Sequence, residues 1–327
     1  MDAKIRWGLI GPGNIATKFI ADLKLVGDAQ ITAVASRNLE RARAFAELHK
    51  IEHSFGSYEA LLDSGTVDVV YIATPHSFHK KWALAAMERG VAVLCEKPLG
   101  TGRAEVEELV NTARQRKVFL MEALWSRFNP SIVKVKELVD GGHIGTLGYL
   151  HADFAFYGLD RDLESRLLNP ALASGSLLDI GIYPIFLAYL LLGMPESIQA
   201  SSNFHENGTE LQTSMIFHYP GAQALLYSGL LGHSKMEAKL SGTLGELYIR
   251  PRWHVADGFS VVKNGESEEF DLPLVGGGYY YEIQEVHSCL GAGKIESSLW
   301  SHQNSLDLVE LLDKVRKECG IGFPFEI

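Results

Sequence analysis

The chain has 327 residues, with 30 Lys and Arg against 40 Asp and Glu, a formal charge of −10. That acidic balance excludes a protein that tracks nucleic-acid phosphates, which needs a basic surface to release counterions. With 46% hydrophobic and 21% charged residues, disorder on the scale of a domain is excluded too, and the length suits two domains of roughly 150 residues each.

Short apolar runs at Ile5–Ile10, Ile31–Ala35, Val67–Ala73, Val91–Cys95 and Val118–Glu122 alternate with amphipathic stretches at Ile15–Val26, Leu39–His49, Lys80–Arg89 and Ala104–Arg116. Near-continuous Val, Ile and Ala suit strands buried on both faces, with helices in the crossovers. Residues 1–123 are therefore expected to form an α/β domain, a doubly wound parallel (Rossmann) sheet that binds a dinucleotide. No cleavage site follows the first run, so no signal peptide is expected. From Leu124 the texture changes. A helix over Asn129–Val139 ends at Asp140-Gly141-Gly142, glycine being a common helix stop. Longer alternating or aromatic runs follow at Gly148–Tyr157, Glu210–Tyr219, Ala222–Leu231, Lys235–Leu240 and Glu246–Ile249. Turn signals at Tyr219-Pro-Gly221 and Gly242–Gly245 make several of them hairpins of a mainly antiparallel sheet. One long helical pattern, Gly175–Leu192, is inserted among them, and others lie near Tyr280–Leu290 and at His302–Lys317. Residues 124–327 are expected to form an α+β domain on an open sheet, with the C-terminal helix free to pack back on the first domain. The apolar stretch Ile180–Met194 is shorter than the ~18–20 residues that cross a bilayer, and no membrane partner is expected. Cys95, Cys289 and Cys319 are odd in number and lack CxxC spacing. They suit a reducing, cytoplasmic compartment and neither a disulfide framework nor a zinc cage.

The first run passes directly into Gly11-Pro-Gly13-Asn14-Ile15-Ala16 and then a helix. In that setting GxGxxA is a dinucleotide fingerprint: Gly11 permits the tight turn, Gly13 lets a pyrophosphate approach, and Ala16 allows close helix–strand packing. The helix start at Gly13, Asn14 and Ile15 offers N–H groups and partial positive charge to phosphates. A glycine turn needed only for packing is the competing explanation. Proteins that bind NAD place Asp or Glu near the end of the second strand for the ribose 2′-OH. Here the strand ends Ala35-Ser36-Arg37-Asn38, with Arg41 one helical turn later. A hydroxyl and two guanidinium groups suit the 2′-phosphate of NADP. Otherwise Arg37 and Arg41 are solvated charges set against the helix dipole.

Three segments are candidates for the reacting end of such a cofactor. The run Val67–Ala73 leads into Thr74-Pro75-His76-Ser-Phe-His79, at the carboxyl edge where doubly wound sheets bind ligands. His76 and His79 lack the further ligands of a metal site, so no metal is expected, and capping or packing competes with a cofactor role. Next, Cys95 is followed by Glu96-Lys97-Pro98. A lysine immediately after a buried strand needs a task or a partner, and Glu96 offers a structural ion pair as the alternative. Third, Asp179 and Tyr183 lie four apart on one face of the most apolar helix, both expensive to bury without partners. A tyrosine satisfying a core hydrogen bond is the plain reading of that position. Together the three segments suit hydride transfer, in which a base takes the hydroxyl proton as the hydride leaves for nicotinamide. Tyrosine, with a free pKa of about 10, becomes such a base when a lysine ammonium stands close by. A lowering of two or three units corresponds to about 3–4 kcal/mol.

The motifs Gly11–Ala16, Thr74-Pro75 with His79, and Glu96-Lys97-Pro98 resemble the glucose–fructose oxidoreductase / inositol dehydrogenase / MocA family across the whole chain. The stretches Met121–Pro130 and Gly175–Tyr183 are similar to its dimeric dihydrodiol dehydrogenase and NADP-dependent D-xylose dehydrogenase branch. The resemblance implies NADP without metal, a catalytic Lys97, and Tyr183 as acid/base where many relatives carry histidine. It also implies a substrate pocket that includes Trp125, Arg127, Phe156, and Tyr279 or Tyr280. A homodimer or larger assembly through the open sheet is implied as well, a small-molecule substrate being the other partner. The resulting expectation is an NADP-dependent dehydrogenase acting on an alcohol or hemiacetal carbon of a sugar, polyol or trans-dihydrodiol. Tyr183 would be the base, Lys97 its electrostatic partner and a ribose contact, and Asp179 an orienting group. The alternatives are a sugar–sugar oxidoreductase that keeps its cofactor, and an NADP-binding regulatory protein without catalysis.

Overall fold

The computed structural model describes residues 4–326. In chain order, β1 (Ile5–Ile10), α1 (Asn14–Leu23), β2 (Ala29–Ala35), α2 (Leu39–His49), β3 (His53–Phe55), α3 (Tyr58–Leu62) and β4 (Val69–Ile72) come first. They are followed by α4 (His79–Glu88), β5 (Ala92–Glu96), α5 (Arg103–Arg116) and β6 (Leu120–Ala123). The six strands pair in parallel in the order β3-β2-β1-β4-β5-β6. Every residue of β4, β5 and β6 is buried, which is why these segments lack alternation in the sequence. The order reverses between β1 and β4, and such a switch point opens a crevice at the carboxyl ends of the strands. Register aligns that edge: Ala35, Ile10, Ile72, Cys95 and Glu122 lie in one row across the sheet. The chain therefore leaves the sheet at Ser36, Gly11, Ala73 and Glu96 along a single edge.

After α6 (Pro130–Asp140) come β7 (Leu147–Ala155), α7 (Ile182–Leu192), β8 (Ser197–Phe204), β9 (Glu210–Tyr219), β10 (Ala222–Gly229), β11 (Ala238–Gly242), β12 (Gly245–Ile249), β13 (Gly258–Lys263) and β14 (Glu266–Asp271). These eight strands form the sheet β14-β13-β12-β11-β7-β10-β9-β8, antiparallel except for the β7–β10 pair. Alternation sets its two faces. Met215, Phe217, Ala224 and Leu226 are buried, whereas Ser214, Gln223, Leu225 and Tyr227 are exposed or half-buried. The apolar helix α7 packs on β7 and β10. Its stretch Pro170–Leu192 has the length and hydropathy of a membrane span, but 78% of that window is buried inside the fold.

The structure differs from the sequence reading in two places here. The pattern Gly175–Leu192 is not one α-helix, because Leu177–Gly181 is a π turn that precedes α7. β3, β8, β13 and β14 carry no clear sequence signal: β3 has three residues, β8 is a polar edge strand and β14 an acidic one. Edge strands tolerate, and are protected by, such residues.

Helices α8 (Tyr280–Gly291) and α9 (His302–Cys319) end the chain. Two compact units result, Met1–Trp125 with Val275–Leu306, and Ser126–Leu274 with Asp307–Ile327. The parallel-sheet unit is thus built from two separate stretches. Trp7 Nε1 donates to His287 Nε2 on α8 (2.9 Å), and Trp300 Nε1 donates to Glu122 Oε2 on β6 (3.1 Å).

Candidate active site

At the carboxyl edge of the parallel sheet, the two glycines of the first turn differ in what demands them. Gly11 has φ +95°, and a Cβ there would lie 2.9 Å from the Ala73 carbonyl oxygen. The protein itself thus requires glycine between β1 and β4. Gly13 is extended (φ −142°), with nothing within 4 Å of a Cβ. No protein contact explains that glycine, whereas a pyrophosphate drawn against the backbone does. Gly13 caps α1 without a side-chain bond, and no acidic residue follows in the first turn at Asn14 and Ile15. The first N–H groups and the dipole of α1 are therefore open to an anion. Thr74 Oγ1, across the switch point, is buried with no hydrogen-bond partner among the described residues. The residues present fit a dinucleotide.

The tip of β2 carries no carboxylate. Ser36 is buried and its Oγ accepts from Asn38 N at 3.3 Å, while Asn38 Oδ1 caps α2 by accepting from Arg41 N at 3.0 Å. Arg41 Nη2 donates to Pro12 O at 2.7 Å, which ties α2 to the glycine-rich turn. Arg37 stands 6.0 Å from the centre of the Phe78 ring. Among the described residues no carboxylate pairs with Arg37 or Arg41, whereas Arg6, Arg89 and Arg250 each meet one.

Beyond β4 and β5 the loops are bound to each other. His79 is fully buried, its Nδ1 2.8 Å from Pro98 O and its Nε2 2.9 Å from Thr74 O. Burial pushes its pKa down and the two carbonyl bonds oppose that. His79 thus clamps Thr74-Pro75 to the Glu96-Lys97-Pro98 corner, and His76 packs edge-on against it at 5.7 Å. Glu96 accepts from the Tyr71 hydroxyl, and its Oε2 accepts from Lys97 N at 3.2 Å. Lys97 is 9% exposed. A second buried carboxylate, Glu122, accepts from Leu99 N (2.9 Å), Ser305 Oγ (2.7 Å) and Trp300 Nε1 (3.1 Å). Burial pushes its pKa up, against these bonds and the positive charge of Lys97. Sequence inspection missed Glu122, whose role depends on partners about 180 residues away.

Trp125 follows β6, and its ring lies parallel to that of Tyr279 (4.4 Å between centres, 2° between planes). Trp125 is half-buried and Tyr279 is buried. Tyr280 turns to α8, its hydroxyl accepting from Gln284 Nε2 at 2.6 Å.

In the other unit, Asp179 lies in the π turn and Tyr183 in the first turn of α7. π turns recur at functional positions. Arg166 Nη1 donates to Asp179 Oδ1 at 2.7 Å. The Tyr183 ring packs against Phe154 (5.4 Å) and His254 (5.5 Å), which stack on each other at 4.2 Å. His254 rides on the turn Trp253–Val255, pinned by Ser126 Oγ on His254 O (2.8 Å) and by Ser131 Oγ on Ala256 O (3.1 Å). Glu210, on β9, anchors the start of the π turn. It accepts from Ser176 Oγ (2.6 Å), Leu177 N (2.8 Å) and Thr213 Oγ1 (2.7 Å). Phe156 lies just past β7, half-buried, with its N–H on Gly229 O (3.1 Å), and Arg127 is buried in the 3-10 turn Trp125–Phe128. Among the described residues no group of three or more His, Cys, Asp or Glu side chains has metal-binding geometry.

Residues 5–124 match the model of an oxidoreductase family with an NAD-binding Rossmann fold, and residues 132–248 match that of the GFO/IDH/MocA C-terminal domain. The trans-1,2-dihydrobenzene-1,2-diol dehydrogenases of Mus musculus and Homo sapiens are 37% and 36% identical, with 98% of this chain and 98% of each relative covered. A 3-ketoreductase from Actinomadura kijaniata, solved with NADP and TDP-benzene, has a TM-score of 0.88 at 27% identity, over 97% of this chain and 98% of that one. An aldose-aldose oxidoreductase from Caulobacter crescentus, complexed with glycerol and 23% identical, shares the fold with a TM-score of 0.88 over the same shares of the two chains.

Proposed function

Because the chain belongs to the GFO/IDH/MocA oxidoreductase family, we propose that it is an NADP-dependent dehydrogenase. Its substrate class is an alcohol or hemiacetal carbon of a sugar, polyol or trans-dihydrodiol. The observation that carries this is the buried Lys97 at the carboxyl end of β5, on the sheet edge that also presents Gly13 and two arginines, Arg37 and Arg41, that meet no carboxylate among the described residues. The dihydrodiol dehydrogenases and the NADP-bound ketoreductase support the substrate class and the cofactor. Gly11, Gly13, Asn14 and Ile15 hold the pyrophosphate, and Ser36, Arg37 and Arg41 the 2′-phosphate. Thr74, Pro75, His76, His79 and Glu96 form the wall beyond β4 and β5.

Bound NADP+ supplies the hydride acceptor. Tyr183 takes the hydroxyl proton of the substrate as general base. Lys97 contacts the cofactor ribose and contributes the positive charge that makes a phenol basic enough at neutral pH. Asp179 orients the substrate hydroxyl or the base, and Trp125 offers a flat apolar surface to a ring face. The test is a panel of aldoses, polyols, dihydrodiols and dicarbonyls, assayed in both directions with NADP(H) and NAD(H). NADP-dependent turnover that falls in both Tyr183→Phe and Lys97→Met supports these roles. Near-normal turnover in both variants refutes them.

The same proposal includes a homodimer. It is supported by the half-exposed sheet face around Leu225, Ile216 and Tyr227, where a hollow of about 490 Å3 opens among β7, β8, β9 and β10. Light scattering on the purified protein tests it, and a monomer at micromolar concentration refutes it. A reducing, cytoplasmic location is supported by three cysteines that are all free, two of them buried. Fractionation of cells that express the chain tests that location.

A further inference from the structure

The π turn Leu177–Gly181 carries Asp179, and Tyr183 follows it in the first turn of α7. Both ends of this stretch rest on the sheet through a glycine. At Gly175 φ is +117°, and a Cβ would lie 2.9 Å from Glu210 Oε2 and 3.0 Å from Glu210 O, on β9. At Gly181 a Cβ would lie 2.8 Å from Ser228 Oγ and 3.2 Å from Ser228 Cβ, on β10. The stretch is thus seated on β9 at its entry and on β10 at its exit, with no room for a side chain at either seat. Ser228 pairs with Thr213 in the β9–β10 ladder, so both seats belong to one pair of bonded strands.

The polar groups between the seats form a single chain. Ser176 Oγ gives its only proton to Glu210 Oε1, so in its 2.9 Å contact with Ser228 Oγ it accepts and Ser228 donates. Thr213 Oγ1 donates to the same Oε1, and Oε2 takes Leu177 N. Ser176, Thr213 and Ser228 are fully buried and Glu210 is 2% exposed. Burial pushes the Glu210 pKa up, and these bonds oppose it. A charged acceptor at the head of a chain of hydroxyls strengthens each bond along it, and a fully satisfied buried network specifies one arrangement. That matters at a π turn, which holds one residue more than an α turn. Relaxation to α winding would rotate Asp179 against Tyr183 by about 100°, the step of one residue.

We propose that Glu210 and Ser228 are positioning residues that hold the π winding and thereby place Asp179 and Tyr183 for proton transfer. This rests on the assignment of Tyr183 as the base made above. Full-length Gly181→Ala, Ser228→Gly and the double variant are compared with wild type and with Tyr183→Phe. The readout is the exponential rate of hydride transfer in a single turnover at 340 nm, with NADP+ and trans-1,2-dihydrobenzene-1,2-diol or D-xylose. The fraction of folded enzyme sets the amplitude of that exponential and not its rate.

Gly181→Ala drives a methyl group into Ser228 and slows the step about 10²-fold, the cost of a displacement of about 1 Å. Ser228→Gly removes both atoms of Ser228 that the methyl meets, so the double variant is about tenfold faster than Gly181→Ala. If Gly181→Ala does not fold, Glu210→Ala and Glu210→Gln serve. The alanine slows the step about tenfold, and the glutamine, which keeps an acceptor for Leu177 N, slows it less. The dissociation constant of NADP+ by fluorescence titration stays within about twofold, less than 0.5 kcal/mol, because these residues lie outside the unit that carries Gly11–Ala16. A wild-type rate in Gly181→Ala, or in both Glu210 variants, overturns the inference. So does a double variant no faster than Gly181→Ala, or NADP+ binding that weakens in step with the rate, the mark of a merely structural role. A slow Tyr183→Phe beside a fast Gly181→Ala leaves the proposed function standing and removes this inference alone. A wild-type rate in Tyr183→Phe, or failure of wild type to oxidise these probes or any other member of the panel above, overturns both.

Discussion

Replacing Arg37 by alanine removes a guanidinium that no carboxylate of the described chain neutralises, at a strand tip with no acidic residue. Its charge is therefore available to a 2′-phosphate. A hydrogen bond between charged groups contributes about 1.5–3 kcal/mol, and each 1.4 kcal/mol is a factor of ten. The variant should lose about 10- to 150-fold in kcat/KM for NADP+. Arg37 is exposed, and at 0.15 M ionic strength exposed charges are screened over about 8 Å, which places the outcome near the lower bound. NAD+ lacks the phosphate, so its kcat/KM should stay within about threefold, under 0.7 kcal/mol. Arg41→Ala should weaken both cofactors, because Arg41 also holds the glycine-rich turn through Pro12 O. The assay is initial-rate kinetics at 340 nm with each cofactor, at low and high salt. An unchanged ratio of NADP+ to NAD+ activity in Arg37→Ala would refute the reasoning.

Glu282 is fully buried, neither carboxyl oxygen has a hydrogen-bond partner among the described residues, and burial with the nearby Glu96 and Asp22 charges pushes its pKa well up. A raised carboxyl pKa gives stability that is complete below the unfolded value and is lost as pH rises. Glu282→Gln removes that loss, so urea denaturation should favour the variant by about 1.4 kcal/mol more for each pH unit above the ordinary glutamate range, while folded Glu282 keeps its proton. A difference independent of pH would refute this. Glu210→Ala leaves Leu177 N, Ser176 Oγ and Thr213 Oγ1 without their carboxylate and should cost about 2–4 kcal/mol in urea unfolding. Glu210→Gln should cost less, because hydroxyls can accept from an amide as well as donate to it.

How much was legible depended on whether neighbours in sequence carry the signal. Gly11–Ala16, the Ser36-Arg37-Asn38 tip and Glu96-Lys97-Pro98 each sit where a buried strand ends, and strand, turn and helix are read from consecutive residues. The π turn at Leu177–Gly181 was hidden because an unbroken apolar run looks alike in either helical winding. The return of α8 to the parallel-sheet unit was hidden for another reason. The bonds that bring it back, Trp7 to His287 and Gly277 to Asp22, join residues 280 and 255 positions apart. Asp22 accordingly reads as an ordinary polar residue near a helix end. His254 lies in a short 3-10 turn without periodicity, and only its packing on Phe154 and Tyr183 marks it. Phe154 and Phe156 differ by one strand repeat, and alternation alone gives both the same face of β7.

The most direct test of the central claim is hydride transfer in a single turnover with Tyr183→Phe, followed as nicotinamide absorbance at 340 nm. The phenylalanine keeps the ring that packs on Phe154 and His254 and removes only the hydroxyl. If Tyr183 is the base, the rate falls about 10²- to 10⁴-fold, the range of general acid–base catalysis, while NADP+ binding and thermal stability hold at wild-type values. A rate close to that of wild type, with binding and stability equally preserved, would contradict it.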